Sequence, residues 1–397
     1  MTAMKTTAWP TERGRESGIV IQFGQARAEL AQWALVTGDR LADAVVAEIH
    51  ELGHSVRAVL EQGIQAGLSS VPDAPQAVKA LLADTERLPA FADDDLLDHG
   101  SAAYFMSPVP VHMVSLSAGA LIRVYESPSI SKVLATTGRL IDGADRRIRE
   151  TGKWVSSVML PGSLRPGSPG YAATLQVRML HANMRHLARA RGFDEAAYGA
   201  PINQVDLART WMDFTVTSLR AEEAMGFGLT SRESAALYRY WWLIAHLLGI
   251  DPRLVEGISS NEQAARADEL FQAVTGPLID ESAALAGATL GSVTDMLHEA
   301  LHVPSSVGSR GLQSLARRFH GDAIADELQI PRAPAADAVI TTAIKGIRAR
   351  RAGLRRDPRK WAAEQTSNIA AVRELLGTSD PALYEIHPGE DPVSAGS

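Results

Sequence analysis

Residues 144–158, ADRRIRETGKWVSSV, and residues 173–191, ATLQVRMLHANMRHLARAR, decide how this chain reads. Wound at about 100° per residue, the first segment places Ala144, Ile148, Trp154, Val155 and Val158 on one face. Arg147 and Thr151 fall inside that stripe, while Asp145, Arg146, Arg149 and Lys153 point elsewhere, as a solvated face should. A guanidinium set among apolar side chains is costly unless it meets an anion or hydrogen-bond acceptors. The second segment gathers Val177, Leu180, Met184, Leu187 and Ala188 on one face and Arg178, Arg185 and Arg189 on another, with His181 at the border. That pattern suits a haem. The imidazole would ligate iron, the apolar face would hold the porphyrin, and Arg178 and Arg185 would lie near the propionates at the rim. The same pattern also fits a core histidine bonded to a backbone carbonyl, beside an arginine paired with an acid.

Longer motifs add to these two helices. Thr137-Gly138-Arg139-Leu140, then RRIRETGKW at 146–154, VRMLHA at 177–182, APINQVDL at 200–207 and YRYWW at 238–242 occur in that order, with GDRLADAVV at 38–46 upstream. Together they resemble the core of the latex clearing protein (rubber oxygenase) family, which includes oxygenases that shorten prenyl side chains in mycophenolic acid biosynthesis. The resemblance covers roughly residues 35–255. It implies an all-helical protein with a globin-like core and a non-covalent b-type haem. His181 would then be the proximal iron ligand, Arg147 and Thr151 the distal residues beside dioxygen, and Trp154 and Met184 part of the pocket. Two positions depart from the pattern. Glu150 stands where rubber oxygenases can carry lysine, and the glutamate proposed as a base has no match, Glu126 being the nearest upstream. These departures bear on rubber cleavage more than on haem binding.

Composition narrows the classes. A chain of 397 residues with 46% hydrophobic and 21% charged residues is ordinary for a globular protein and long enough to bury a large core. A net charge of −7 argues against a nucleic-acid surface, and the arginine-rich run at 345–360 reads as a solvated helix face ending at Asp357-Pro358. The absence of cysteine excludes disulfides, thiolate-ligated or covalently attached haem, and iron–sulfur clusters. Residues 1–24 lack the apolar core of an export signal, which points to a cytoplasmic protein. The uncharged run 100–122 contains Pro108, Pro110 and His112, so a buried core segment is expected there and not a membrane span.

Helical periodicity dominates, with no train of alternating strands. Helices are expected at 26–35, 41–63 (one or two), 77–87, 111–126, 206–217, 231–248, 260–275, 290–301, 311–328 and 338–351. Ser231 and Ser234 are expected at a capping box. Proline and glycine at 161–170 mark the loop between the two haem-site helices. The expected architecture is all-α: one large helical domain over 26–377 with a globin-like haem-binding core at 105–255 and extra N- and C-terminal helices. A 1–25 extension and a flexible 378–397 tail would flank it.

Competing chemistry is thin. His50-Glu51-Leu52-Gly53-His54 and His298-Glu299-Ala300-Leu301-His302 both fit H-E-x-x-H, whose spacing puts two zinc-binding imidazoles on one helical face. Neither has the companion residues; Arg57 and Leu60 follow the first, and only His320 and Glu327 could complete the second. His112 and His246 could approach the distal face of a haem or serve as core residues. No phosphate loop or nucleophile elbow is present. The reading is a haem-dependent oxidoreductase, an oxygenase, acting on a small apolar and unsaturated substrate. Its partners would be dioxygen and, where the chemistry requires one, an electron donor, without nucleic acid or stable membrane insertion. The alternatives are a non-catalytic haem or apolar-ligand binder, and a zinc hydrolase.

Overall fold

Helix starts in this chain are written in side chains that satisfy the first free N–H groups. In the computed structural model, which describes residues 8–136 and 144–377, Asp39 caps Arg40–Leu52 by accepting from Ala42 N–H at 3.2 Å. Asn203 caps Gln204–Met212 by accepting from Asp206 N–H at 3.0 Å. Ser231–Leu247 opens with a reciprocal capping box, but between Thr230 and Glu233, one residue before the expected serine pair. Glutamate reaches back to the cap N–H, which the serine at 234 is too short to do.

These helices assemble around Pro169–Ala190. It packs against Ala144–Met159 on one side and against Arg40–Leu52 and Ser231–Leu247 on others. Asp280–Leu301 then lies across Ala144–Met159 and turns back into Ser305–His320. Every regular element among the described residues is helical, so the fold is a single all-α domain. Trp154 Nε1 donates to Thr174 Oγ1 at 3.2 Å, tying the two central helices together.

Two of the inner helices are locally over-wide. The helix running from Val109 to Tyr125 takes π winding over Ser115–Leu121, and the one running from Gln204 to Ala224 does so over Asp213–Thr217. The two π turns pack on each other. An extra residue per turn costs regular hydrogen bonding and is kept mostly where a site needs it. Residues 115–122 are all buried, as expected for this uncharged run. No single helix among the described residues is long and apolar enough to cross a membrane.

Several boundaries differ from the expectation. The 290–301 helix begins ten residues earlier, at Asp280, and the helix expected at 311–328 is split at Gly321, whose φ is +80°. A last helix, Pro358–Gly377, follows the turn at Asp357 and was not expected. The described part of the N-terminal segment is tied to the helices behind it. Arg13 forks onto Asp206 with both Nη2 distances at 3.0 Å and donates from Nε to Tyr198 O at 2.9 Å. Gly14 N–H donates to Val274 O at 3.1 Å. The Thr137–Leu140 motif and the expected 378–397 tail lie outside the described residues.

Candidate active site

The apolar stripes of 144–159 and 169–190 do not close completely on each other. They leave an internal cavity of about 240 Å³, walled also by Leu207, Trp211 and Phe214. Arg147, Thr151 and Trp154 reach it from one helix, and Leu180, His181 and Met184 from the other. Five of the seven side chains expected at the site therefore share one chamber. Trp154 meets Phe214 edge-on, with ring centroids 5.7 Å apart, and Trp241 at 6.3 Å, so an aromatic cluster stiffens one wall.

His181 is the distinctive group. Its Nδ1 is buried with no hydrogen-bond partner. Burial, reinforced by the nearby Arg185 charge, pulls the imidazole from 6.5 down to about 4. The ring is therefore neutral at physiological pH and keeps a lone pair, the form in which histidine ligates metal. A core histidine satisfied at Nδ1 by a carbonyl, the bland alternative, is not what the structure contains.

The expected rim cations are corrected. Arg178 and Arg185 are buried, but neither lines the chamber. Arg178 Nε lies 2.6 Å from Asp39 Oδ2, and Arg185 Nε lies 2.7 Å from Asp43 Oδ1. The two aspartates stand one turn apart around the start of the 40–52 helix and draw both long side chains toward it. Periodicity locates a Cα on a helix face, but it does not fix where a flexible guanidinium goes.

Both zinc motifs fail for one geometric reason: H-E-x-x-H needs an unbroken helix through both histidines. Arg40–Leu52 ends at Gly53, whose φ is +91°, leaving His54 outside it; Asp280–Leu301 ends before His302, whose φ is +55°. His298 Nδ1 is also taken by Val303 O at 2.9 Å. Among the described residues no three His, Asp or Glu side chains gather where they could hold a metal ion.

The other candidates are engaged elsewhere. His112 contacts Glu222 at 2.8 Å through Nδ1 and Tyr104 O at 3.1 Å through Nε2. Glu126 is held by His320 Nδ1 at 3.0 Å and does not line the chamber. His246 belongs to a separate pocket with Phe91 and Trp242. Leu121 and Phe214 are wall residues that sequence reasoning missed. Leu121 shares its stripe with Val124 and Tyr125, and Phe214 with Leu207, Thr210 and Trp211.

The donor set fits a haem: a neutral imidazole, apolar and aromatic walls, and a polar pair at Arg147 and Thr151. The cavity, about 240 Å³, is smaller than the ~300–1,000 Å³ of typical ligand pockets, so a flat macrocycle would need it to widen.

Fold and chamber together define an all-helical protein with a largely apolar internal cavity. The chain belongs to the family described as ER-bound oxygenase mpaB/B′/rubber oxygenase, catalytic domain, which matches residues 108–350. It is thus an oxygenase of that family. It is 24% identical to a rubber oxygenase of Streptomyces sp. (strain K30) over 325 residues, 80% of this chain and 76% of that one. Its fold is similar to that of a latex clearing protein solved in the closed state, with a TM-score of 0.66 and 21% identity over 86% of this chain and 91% of the other.

Proposed function

We propose that this oxygenase depends on a b-type haem held by His181 and acts on a small, apolar, unsaturated substrate. The observation that carries the reading is a neutral imidazole, unpartnered at Nδ1, sharing an apolar chamber with Arg147 and Thr151. When bound, the haem would supply the dioxygen and one-electron chemistry that no side chain here can perform. The chain's own residues bind, position and exclude water. Arg147 donates hydrogen bonds to negative charge developing on an oxygen atom in the chamber, an interaction strengthened by the surrounding low dielectric. Thr151, one turn further along the same helix, orients that oxygen or hands it a proton through Oγ1. The aromatic wall of Trp154, Phe214 and Trp241 keeps the chamber dry.

Dioxygen is the co-substrate. Cleavage of a carbon–carbon double bond into two carbonyls consumes both oxygen atoms and needs no outside electrons. Hydroxylation places one atom in the product and one in water, and draws two electrons from a donor.

The test is a visible spectrum and metal analysis of the protein as purified. A Soret band with one iron per chain is expected, and it should be lost in His181→Ala. Arg147→Ala should keep the band and lose at least a hundredfold in turnover, the loss typical of a deleted charge-stabilising donor. A band that survives His181→Ala sinks the ligand assignment. Unchanged turnover in Arg147→Ala leaves a haem carrier.

A further inference from the structure

His112 and His320 are buried histidines with no part in the proposed chemistry, and they share one bonding pattern. His112 Nδ1 lies 2.8 Å from Glu222 Oε1, and its Nε2 lies 3.1 Å from Tyr104 O. His320 Nδ1 lies 3.0 Å from Glu126 Oε1, and its Nε2 lies 2.8 Å from Ala118 O. A backbone carbonyl can only accept, so Nε2 carries a hydrogen in both rings. An ionised carboxylate can only accept as well, so Nδ1 carries a second hydrogen unless the glutamate itself takes it. Each pair therefore holds one proton more than a neutral imidazole beside a carboxylate.

The surroundings put that proton on the ring. Glu222 also accepts from Ser107 Oγ at 2.8 Å and Ser115 Oγ at 3.3 Å, hydrogen bonds that favour the ionised acid, and Arg351 lies close enough to favour it further. Glu126 has Arg209 at 3.7 Å and Arg123 at 3.9 Å, and Arg123 is in turn paired with Asp213 at 3.1 Å and Asp268 at 2.6 Å. Against its burial, the His320 bond and the two arginines hold the Glu126 carboxyl below the usual carboxylate range. The His112 ring lies flat on that of Tyr104, with centroids 3.7 Å apart and planes 4° from parallel, an aromatic face that attracts a cation. The two imidazoles are only 5% and 1% exposed, so bulk water competes little for these bonds.

Both rings grip the same helix. Residues 109–125 wind wide over Ser115–Leu121, at the cost of the ordinary hydrogen-bond ladder. His112 stands just before that turn, and Ser115 begins it; both are tied to Glu222 on the neighbouring helix Ser218–Ala224. His320, the last residue of Ser305–His320, bonds Ala118 O inside the turn and Glu126 just beyond the helix end. The same stretch gives Leu121, Val124 and Tyr125 to the chamber wall.

We infer that His112 and His320 are positioning residues, two imidazolium clamps that fix the wide turn and with it one wall of the chamber, and that losing either proton frees this wall. A neutral ring cannot donate to both acceptors. Its Nδ1 lone pair would face a carboxylate, so the ring must turn from either the acid or the carbonyl. The wall thus loosens on the alkaline side. The clamps belong to the chain itself and stand whether or not a haem is bound.

Nitrogen-15 NMR of the full-length protein, labelled at its eleven histidines, reads the protons directly. At pH 7 two imidazolium rings with both nitrogens protonated are expected, one deleted by His112→Gln and the other by His320→Gln. Amide exchange over residues 109–126, corrected for its intrinsic pH dependence, should speed up about tenfold or more as these rings lose their protons, the factor that follows from losing one hydrogen bond to a charged group. The double glutamine variant should show no such step. Should a histidine variant fail to fold, Glu126→Gln and Glu222→Gln keep the rings, remove the counter-charge, and should turn the corresponding signal neutral at pH 7. Neutral shifts for either wild-type ring overturn the proposal, as does an exchange step that is absent from the wild type or persists in the double variant. Neither readout depends on a Soret band, so failure of the haem assignment would leave both results standing.

Discussion

Arg178 and Asp39 form a buried fork, Nε to Oδ2 at 2.6 Å and Nη2 to Oδ1 at 3.1 Å, with both side chains under 5% exposed. The same aspartate caps the 40–52 helix, so a single carboxylate ties the central helix to its neighbour and also starts that neighbour. Arg178→Leu strands a carboxylate in the interior and should cost ~3–5 kcal/mol of unfolding free energy in urea. Arg178→Lys should recover only part of this, because a point charge cannot reproduce the fork. A loss below ~1 kcal/mol for Arg178→Leu would mean that Asp39 finds another partner.

Gly249 tests the same junction from the other side. Its φ is +73°, and a Cβ there would overlap Asp39 Oδ2 and the Arg178 guanidinium. Gly249→Ala should therefore destabilise the fold by at least ~1–2 kcal/mol through backbone strain alone. Gly152 gives the opposite sign. It lies inside the 144–159 helix, and a Cβ there meets nothing within 4 Å. Gly152→Ala should raise stability by ~0.5–1 kcal/mol. Thermal melts of the pair read both signs, and equal shifts would contradict the geometry.

These residues show what could be read before the structure. His181, Arg147, Thr151, Trp154 and Met184 were legible because each lies on a helical face with a clear 3.6-residue period, and that period survives folding. Leu121 and Phe214 were not, since each lies on a buried stripe of its own helix and periodicity does not say which buried stripe lines the chamber. Arg178 and Arg185 were placed on the correct helix but given the wrong partners. Their distance from the chamber is set by Asp39 and Asp43, more than a hundred residues earlier in the chain. Arg13 illustrates the same limit, because nothing local in residues 8–24 announces a fork onto Asp206. Long-range ion pairs leave no periodic trace.

The broken zinc motifs yield a metal prediction. With His54 and His302 outside the helices that carry His50 and His298, neither pair shares a helical face. Protein purified without added metal should contain less than a tenth of an equivalent of zinc by plasma emission, and His50→Ala or His298→Ala should leave turnover unchanged. Stoichiometric zinc that disappears with either histidine would revive the hydrolase reading.

The pH dependence of the haem-free protein follows from His181. Its folded value, about 4, lies below the ordinary 6.5 because burial disfavours the cation. Between those two values the unfolded chain binds a proton that the folded chain refuses, so stability rises with pH across the window and falls on acidification. The contribution is fully present above pH 6.5, declines toward pH 4, and approaches ~3 kcal/mol in total at 1.36 kcal/mol per unit. His181→Phe carries no titrating group and should flatten this part of the curve, while carboxylates such as Glu126, held low by His320 and the neighbouring arginines, still titrate at the acid end. Urea midpoints of the two proteins at pH 7, 5.5 and 4.5 give the comparison. Parallel curves would show that the imidazole is already solvated in the folded protein, and with that the apolar chamber around it would lose its main support.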